Sequence, residues 1–280
     1  MSAPTASDVF RDGTPQGCWR EWMEACRLDD ALAAAAYEAT PARFRAFLKT
    51  GLAMAHMHWG AADEARREEV RAERLGFWRA SASGPAAWAV LAFSPAYAAP
   101  CRLAAACVPA LLAGVPLLGA VCLGGVPAPS ACVSLELTGM EDIFTLDVKA
   151  LRRLLAEIGP GPGRLALLHR GELAEIAAAA RQAGIPCWEE RRPPTLSMPD
   201  PAPFDLDALA FAHGADVVPV SGADAGRADA LYLSPDAARQ AVAVGVGDVL
   251  ALAPGSEGFW LHSGLSPAFF RRRALAFGPL

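Results

Sequence analysis

From Pro85 onward the sequence predicts an α/β protein with an open, mostly parallel, Rossmann-like sheet or sheets, preceded by an N-terminal helical portion. Three observations lead there. Short runs rich in Val, Leu, Ala and Phe alternate with longer helix-forming segments, a rhythm that demands crossover connections and strands covered on both faces. The uncharged run 103–125 is interrupted by Pro109, Pro116 and Gly124-Gly125, so it reads as a buried helix followed by a buried strand rather than a membrane span. The segment Gly159-Pro160-Gly161-Pro162-Gly163 then halts the rhythm, which restarts after it.

Taken in order, Trp19 to Ala39 and Pro41 to Met57 read as helices because Ala, Leu, Arg and Glu dominate, with Thr40-Pro41 as a start signal. Asp63 to Phe77 reads as a further, charged helix with an exposed face. The aromatic residues of this portion read as packing. Strands are expected at Ala87–Phe93, Leu117–Leu123 and Asp142–Thr145, and helices at Cys101–Ala113, Ala128–Thr138 and Val148–Ile158. Past the glycine-proline hinge come a strand at Arg164–Leu168, a helix at Gly171–Ala183 and a strand at Ile185–Trp188. The proline-rich run Arg192 to Pro203 reads as an exposed loop. A helix at Asp205–Ala212 and strands at Asp216–Val220 and Ala230–Leu233 complete the pattern. The resulting division is residues 1–84 as a helical region, 85–163 as a first α/β unit and 164–280 as a second, smaller one.

Composition narrows the function classes. The chain has 280 residues, 53% hydrophobic and 20% charged, enough for a sizeable core and too apolar for disorder. A net charge of -5, with basic residues scattered apart from short runs such as Arg191-Arg192 and Arg271-Arg272-Arg273, offers no footprint for a nucleic-acid backbone. The seven cysteines include no CxxC pair and read as small buried hydrophobes in a reducing compartment. The first residues have no basic stretch leading into an apolar core, so the expected location is the cytoplasm. No GxSxG elbow or phosphate loop occurs, and His56 and His58 at i, i+2 point to different helix faces.

Several segments carry a resemblance. These are the turn and helix Phe93-Ser94-Pro95-Ala96-Tyr97 with Pro109-Ala110-Leu111-Leu112-Ala113-Gly114-Val115, the run Thr138-Gly139-Met140-Glu141-Asp142-Ile143-Phe144, the strand and helix from Arg164 to Ala174, and the closing Gly247-Asp248 and Ser263-Gly264-Leu265-Ser266. Together they are similar to histidinol dehydrogenase, within the aldehyde dehydrogenase-like group. That resemblance implies the open-sheet fold, a dimer, and in active members NAD and zinc. It also implies that much of the chemistry is missing. Phe93 stands at the family's cofactor-contacting tyrosine, and Asp147-Val148-Lys149-Ala150 replaces its glycine-glycine-alanine-glutamine turn. The serine-glutamine-x-x-histidine zinc run has no counterpart before Arg164. The acid/base glutamate and histidine are missing near Gly214 to Val218, and Gly255 stands where another histidine is expected. The last histidine ligand would lie beyond Leu280. Asp248 alone matches a zinc ligand, and one ligand is not a catalytic zinc site.

Three readings stay open. One is a shortened, non-catalytic relative with a binding or regulatory role toward an unknown small molecule, with no cofactor expected. A second is a divergent NAD(P)-dependent oxidoreductase acting on a small amino alcohol or aldehyde, with NAD and zinc as its cofactors. A third is a structural or assembly protein using its aromatic N-terminal helices. The candidate cleft is Phe93, Ser94, Tyr97, Asp147 and His169, with Asp248 as a vestigial metal position. His213 and His262 read as loop residues. A homodimer is the expected assembly, with neither nucleic acid nor membrane as partner.

Overall fold

The computed structural model describes residues 19–60, 66–158, 162–214, 218–220, 228–245 and 249–280. The first expected helix is divided into α1 (Glu21–Glu24) and α2 (Asp30–Ala39), the latter capped by Asp29, whose side chain accepts from the Ala31 N–H. Between them the backbone turns outward to pair with a strand edge: Leu28 N–H donates to Ile143 O, and Thr145 N–H to Cys26 O. Helix α3 (Ala42–Trp59) follows Pro41 as expected.

The charged stretch after it is a correction. Residues 66–72 form strand β1 (Arg66–Ala72), which pairs antiparallel with β2 (Phe77–Pro85) around a 3₁₀ turn and Gly76, whose φ is 71°. The residues are good helix formers, but their charges are spaced for a strand. Arg66 pairs with Glu68, and Arg71 with Glu69. Residues two apart share a face of a strand and not of a helix. A last strand, β12 (Arg271–Pro279), closes the other side of β2, giving the three-stranded order β1-β2-β12. The region expected to be wholly helical thus carries a β-arm.

The first parallel sheet comprises β3 (Trp88–Phe93), β4 (Leu118–Leu123), β5 (Ile143–Leu146), β6 (Gly163–Leu168) and β7 (Cys187–Glu190), in the order β5-β4-β3-β6-β7. Its connections are α4 (Pro100–Leu112), α5 (Pro129–Thr138), α6 (Val148–Ile158) and α7 (Ala174–Gln182). Every residue of β3 is buried, as a central strand covered on both faces must be. Ala89, Leu91 and Phe93 join the core beneath α3, α4 and α5. Trp88, Val90 and Ala92 join the opposite one with Trp19, Met23, Leu151, Leu154 and Ile176.

The sheet runs past the expected unit boundary at 163/164, because β6 pairs with β3 along its whole length. Of the hinge itself, residues 159–161 lie outside the described residues. The hop between sheets comes after Glu190. Thr195–Ser197, inside the expected loop, form β8, which pairs with β9 (Val218–Val220) and β10 (Ala230–Tyr232). Asp229 anchors this short strand by accepting from both the Thr195 N–H and hydroxyl, and pairs with Arg192. Helices α8 (Leu206–His213) and α9 (Pro235–Val244) and strand β11 (Leu250–Leu252) complete a second parallel sheet, ordered β11-β10-β8-β9. Among the described residues no helix is long and apolar enough to cross a membrane.

Candidate functional site

The strand order places a topological reversal between β3 and β6, whose neighbours β4 and β7 run away on either side. In open α/β sheets the crevice outside the carboxyl ends at such a point is where ligands bind. β3 ends at Phe93, which is fully buried. Ser94 then opens a turn, its carbonyl accepting from the Tyr97 N–H. Tyr97 donates its hydroxyl to Glu190 at the end of β7.

Glu190 is the centre of a closed polar network. Its second oxygen takes Arg102 of α4, a guanidinium with no solvent exposure. Arg102 reaches on to the His213 carbonyl at 3.2 Å. The His213 ring lies 2.9 Å from the Tyr232 hydroxyl and 3.6 Å from Cys101 Sγ. His262 Nε2 donates to the Arg102 carbonyl at 2.7 Å, which leaves Nδ1 to accept from Trp260 Nε1 at 3.3 Å. These contacts join β3, α4 and β7 of the first sheet to α8, β10 and the loop carrying Trp260 and His262.

Burial sets the protonation states. It is the main cause holding the His213 imidazole down at about 3, with the Arg102 charge adding to it. Burial likewise lowers His262 and raises the Cys101 thiol. The Tyr97 phenol is pushed well up by burial and by Glu190. The network therefore holds neutral imidazoles, a protonated thiol and one buried ion pair. Such a pair is costly to desolvate and fixes geometry rather than adding much stability.

Two cavities flank this network. One, about 530 Å³, lies among Trp59, Trp188, Glu190, Arg192, Trp260 and His262. Trp188 meets His262 edge to face at 4.8 Å and donates its Nε1 proton to the Ser263 carbonyl, and Trp59 Nε1 is buried with no hydrogen-bond partner. The other, about 510 Å³, is lined by His169, Gly171, Ala174, Arg181, Glu189 and Arg191.

The expected site residues divide accordingly. Tyr97 enters the network and His169 lines the second cavity, while Ser94 shapes the turn and Phe93 packs in the core. Asp147 stands at the far edge of the sheet, after β5, separated from β7 by four strand spacings, on the order of 20 Å. It is exposed and accepts from the Ala150 N–H at 2.6 Å, capping α6. Asp248 lies outside the described residues.

Sequence reasoning missed Arg102 and Glu190. Their signals were a lone cation on an otherwise uncharged helix, and the charged run Glu189 to Arg192 directly after a strand. It also placed His213 in a loop, whereas His213 ends α8 and is fully buried.

The donor set also tests the groups implied by the resemblance. Among the described residues no three His, Cys, Asp or Glu side chains stand together so as to hold a metal, so these residues do not fit zinc. At the turn matched to the family's NAD-binding glycines, the Asp147 carboxylate already occupies the Ala150 amide. A second anion there would meet like charge, so this turn does not fit a dinucleotide phosphate.

The arrangement of elements defines an α/β protein with a histidinol dehydrogenase-like fold. No protein-family profile and no curated protein sequence matches the chain. Among solved structures, histidinol dehydrogenase from Elizabethkingia anophelis superposes with a TM-score of 0.58 at 11% identity, over 91% of this chain and 77% of that one. Succinate-semialdehyde dehydrogenase from Burkholderia pseudomallei gives 0.44 at 12% identity, over 85% and 77% of the two chains. An NAD-dependent benzaldehyde dehydrogenase from Corynebacterium glutamicum gives 0.43 at 10%, over 89% of each. At such identities the likeness is one of fold.

Proposed function

We propose that this chain is a non-catalytic relative of histidinol dehydrogenase that binds a small molecule in the crevice between its two parallel sheets. The observation that carries this reading is the closed network around Glu190. Tyr97 and Arg102 donate to the Glu190 carboxylate, and Arg102, His213, Tyr232 and His262 hydrogen-bond to one another or to backbone carbonyls. A general base must be accessible and titrate near working pH, and burial holds His213 far below that range. The cavities beside the network remain open to a ligand. Isothermal titration with NAD and with zinc is expected to show no binding, and a panel of amino alcohols and aldehydes no dehydrogenase turnover. Micromolar affinity for either cofactor, or turnover abolished by His169→Ala, would sink this reading in favour of a divergent oxidoreductase.

A homodimer is part of the proposal, and a specific surface supports it. The register of the β-arm aligns Val70, Phe77, Leu275 and Phe277 on one face, and all four are exposed. They share that face with Arg79 and Glu68, which pair with each other, and exposed apolar side chains grouped with a polar pair in this way mark an interaction surface. The N-terminal aromatics are less suited to that role, since Trp19 packs edge to face on Phe144 in the core.

A further inference from the structure

We propose that the cavity around His169 is an anion site for a small molecule that carries a hydroxyl beside its phosphate or carboxylate group. The proposal rests on the reading that the crevice binds a ligand, and it names the chemistry of that ligand.

His169 fixes the first half of the argument. Its Nδ1 accepts from the Gly171 N–H at 2.9 Å and the Leu173 N–H at 3.3 Å. A neutral imidazole that accepts at one nitrogen carries its proton on the other, so Nε2 is the donor. The side chain is only 3% exposed, and Nε2 has no hydrogen-bond partner. Its nearest acceptor is Glu189 Oε2 at 3.6 Å, beyond hydrogen-bond range. A buried donor left unmatched is costly. A group that accepts from Nε2 and donates to Oε2 satisfies both at once, and a hydroxyl does this.

The charge balance fixes the second half. Arg181 and Arg191 both converge on Glu189 Oε1, at 3.0 and 2.6 Å. One carboxylate oxygen engages a single nitrogen of each fork, and each guanidinium has five N–H donors. Two cations against one carboxylate leave the cavity net positive. The amino end of α7, a helix of 9 residues, opens onto it through Gly171 and Ala174; its positive potential is offset in part by Glu172 and Glu175 at the same end, so the cavity's anion preference rests on Arg181 and Arg191. Glu189 is held ionised chiefly by its hydrogen bond from Arg191, so a ligand cation would have to displace guanidinium groups already seated, whereas an anion completes them.

The test is calorimetric titration of the full chain with glycerol 3-phosphate, inorganic phosphate and glycerol as separate probes. Glycerol 3-phosphate is expected to bind several-fold tighter than inorganic phosphate, with affinity falling as salt is raised. His169→Asn keeps an acceptor for the Gly171 and Leu173 amides and removes the Nε2 donor; it should weaken glycerol 3-phosphate at least about tenfold. Arg191→Gln, at a side chain 69% exposed and so without consequence for folding, should weaken it by a similar factor and flatten the salt dependence. Glycerol 3-phosphate binding no tighter than inorganic phosphate, or unchanged in both variants, overturns the proposal. A different copurifying molecule seated against Trp188 and Trp260, with no glycerol 3-phosphate binding, overturns this inference and leaves the broader reading standing. NAD or zinc binding with the phosphate result intact does the reverse.

Discussion

Arg102 and Glu190 carry most of the site's architecture in two side chains. Removing one member of a buried pair strands the other charge in a low-dielectric interior, at about 3–5 kcal/mol. Glu190→Leu should therefore lower stability by about that much in urea denaturation, and adding Arg102→Met should restore most of it. If the double variant is as unstable as the single one, the pair is not what holds these elements together. His213 supplies the pH dependence. Its folded pKa, about 3, lies below the ordinary imidazole value of 6.5, so the unfolded chain binds the proton first on acidification. Its contribution is complete above pH 6.5 and is lost as pH falls toward 3, at up to about 1.4 kcal/mol per pH unit. His213→Gln should flatten the stability curve across that window; an unchanged slope would count against a buried neutral imidazole.

At the level of elements, close backbone contacts set what the chain tolerates. A methyl on Gly51 in α3 would run into the Gly258 carbonyl, and one on Gly258 into the Phe47 carbonyl. Alanine is the better helix former by about 1 kcal/mol. Gly51→Ala should nevertheless destabilise by about 1–3 kcal/mol, because backbone cannot step aside as a side chain can. Thermal denaturation reads the sign directly. Elements whose burial repeats along the chain were legible from sequence: β3, α4, β4, α5 and α6 lie within a residue or two of their expected bounds. Those defined by distant partners were not. β1 has the composition of a helix and becomes a strand because β2 lies beside it, and β8 is three residues between prolines, held by Asp229. The candidate site was half legible for the same reason. Tyr97 and His169 sit at strand ends, where position alone suggests a role, whereas Glu190 acquires its role only when Arg102 meets it across the fold.

For the whole molecule, the arm's apolar face predicts self-association. Light scattering of the intact chain should give a dimer, and Phe77→Ser with Phe277→Ser, on exposed side chains, should give a folded monomer with an unchanged thermal midpoint at low concentration. A wild-type monomer would remove this face as the interface.

The arm also ties distant stretches of the chain together. Phe77 pairs with Pro279, and Pro85 with Arg271, so the pairing of β2 with β12 closes a loop that contains both parallel sheets. Closing so long a loop first would be entropically expensive. The two sheets span that loop and hold the halves of the arm within reach, and β12 covers the edge of β2 that β1 leaves open. Detaching β12 would uncover the amides of that edge, and an uncovered edge is a template for edge-to-edge aggregation.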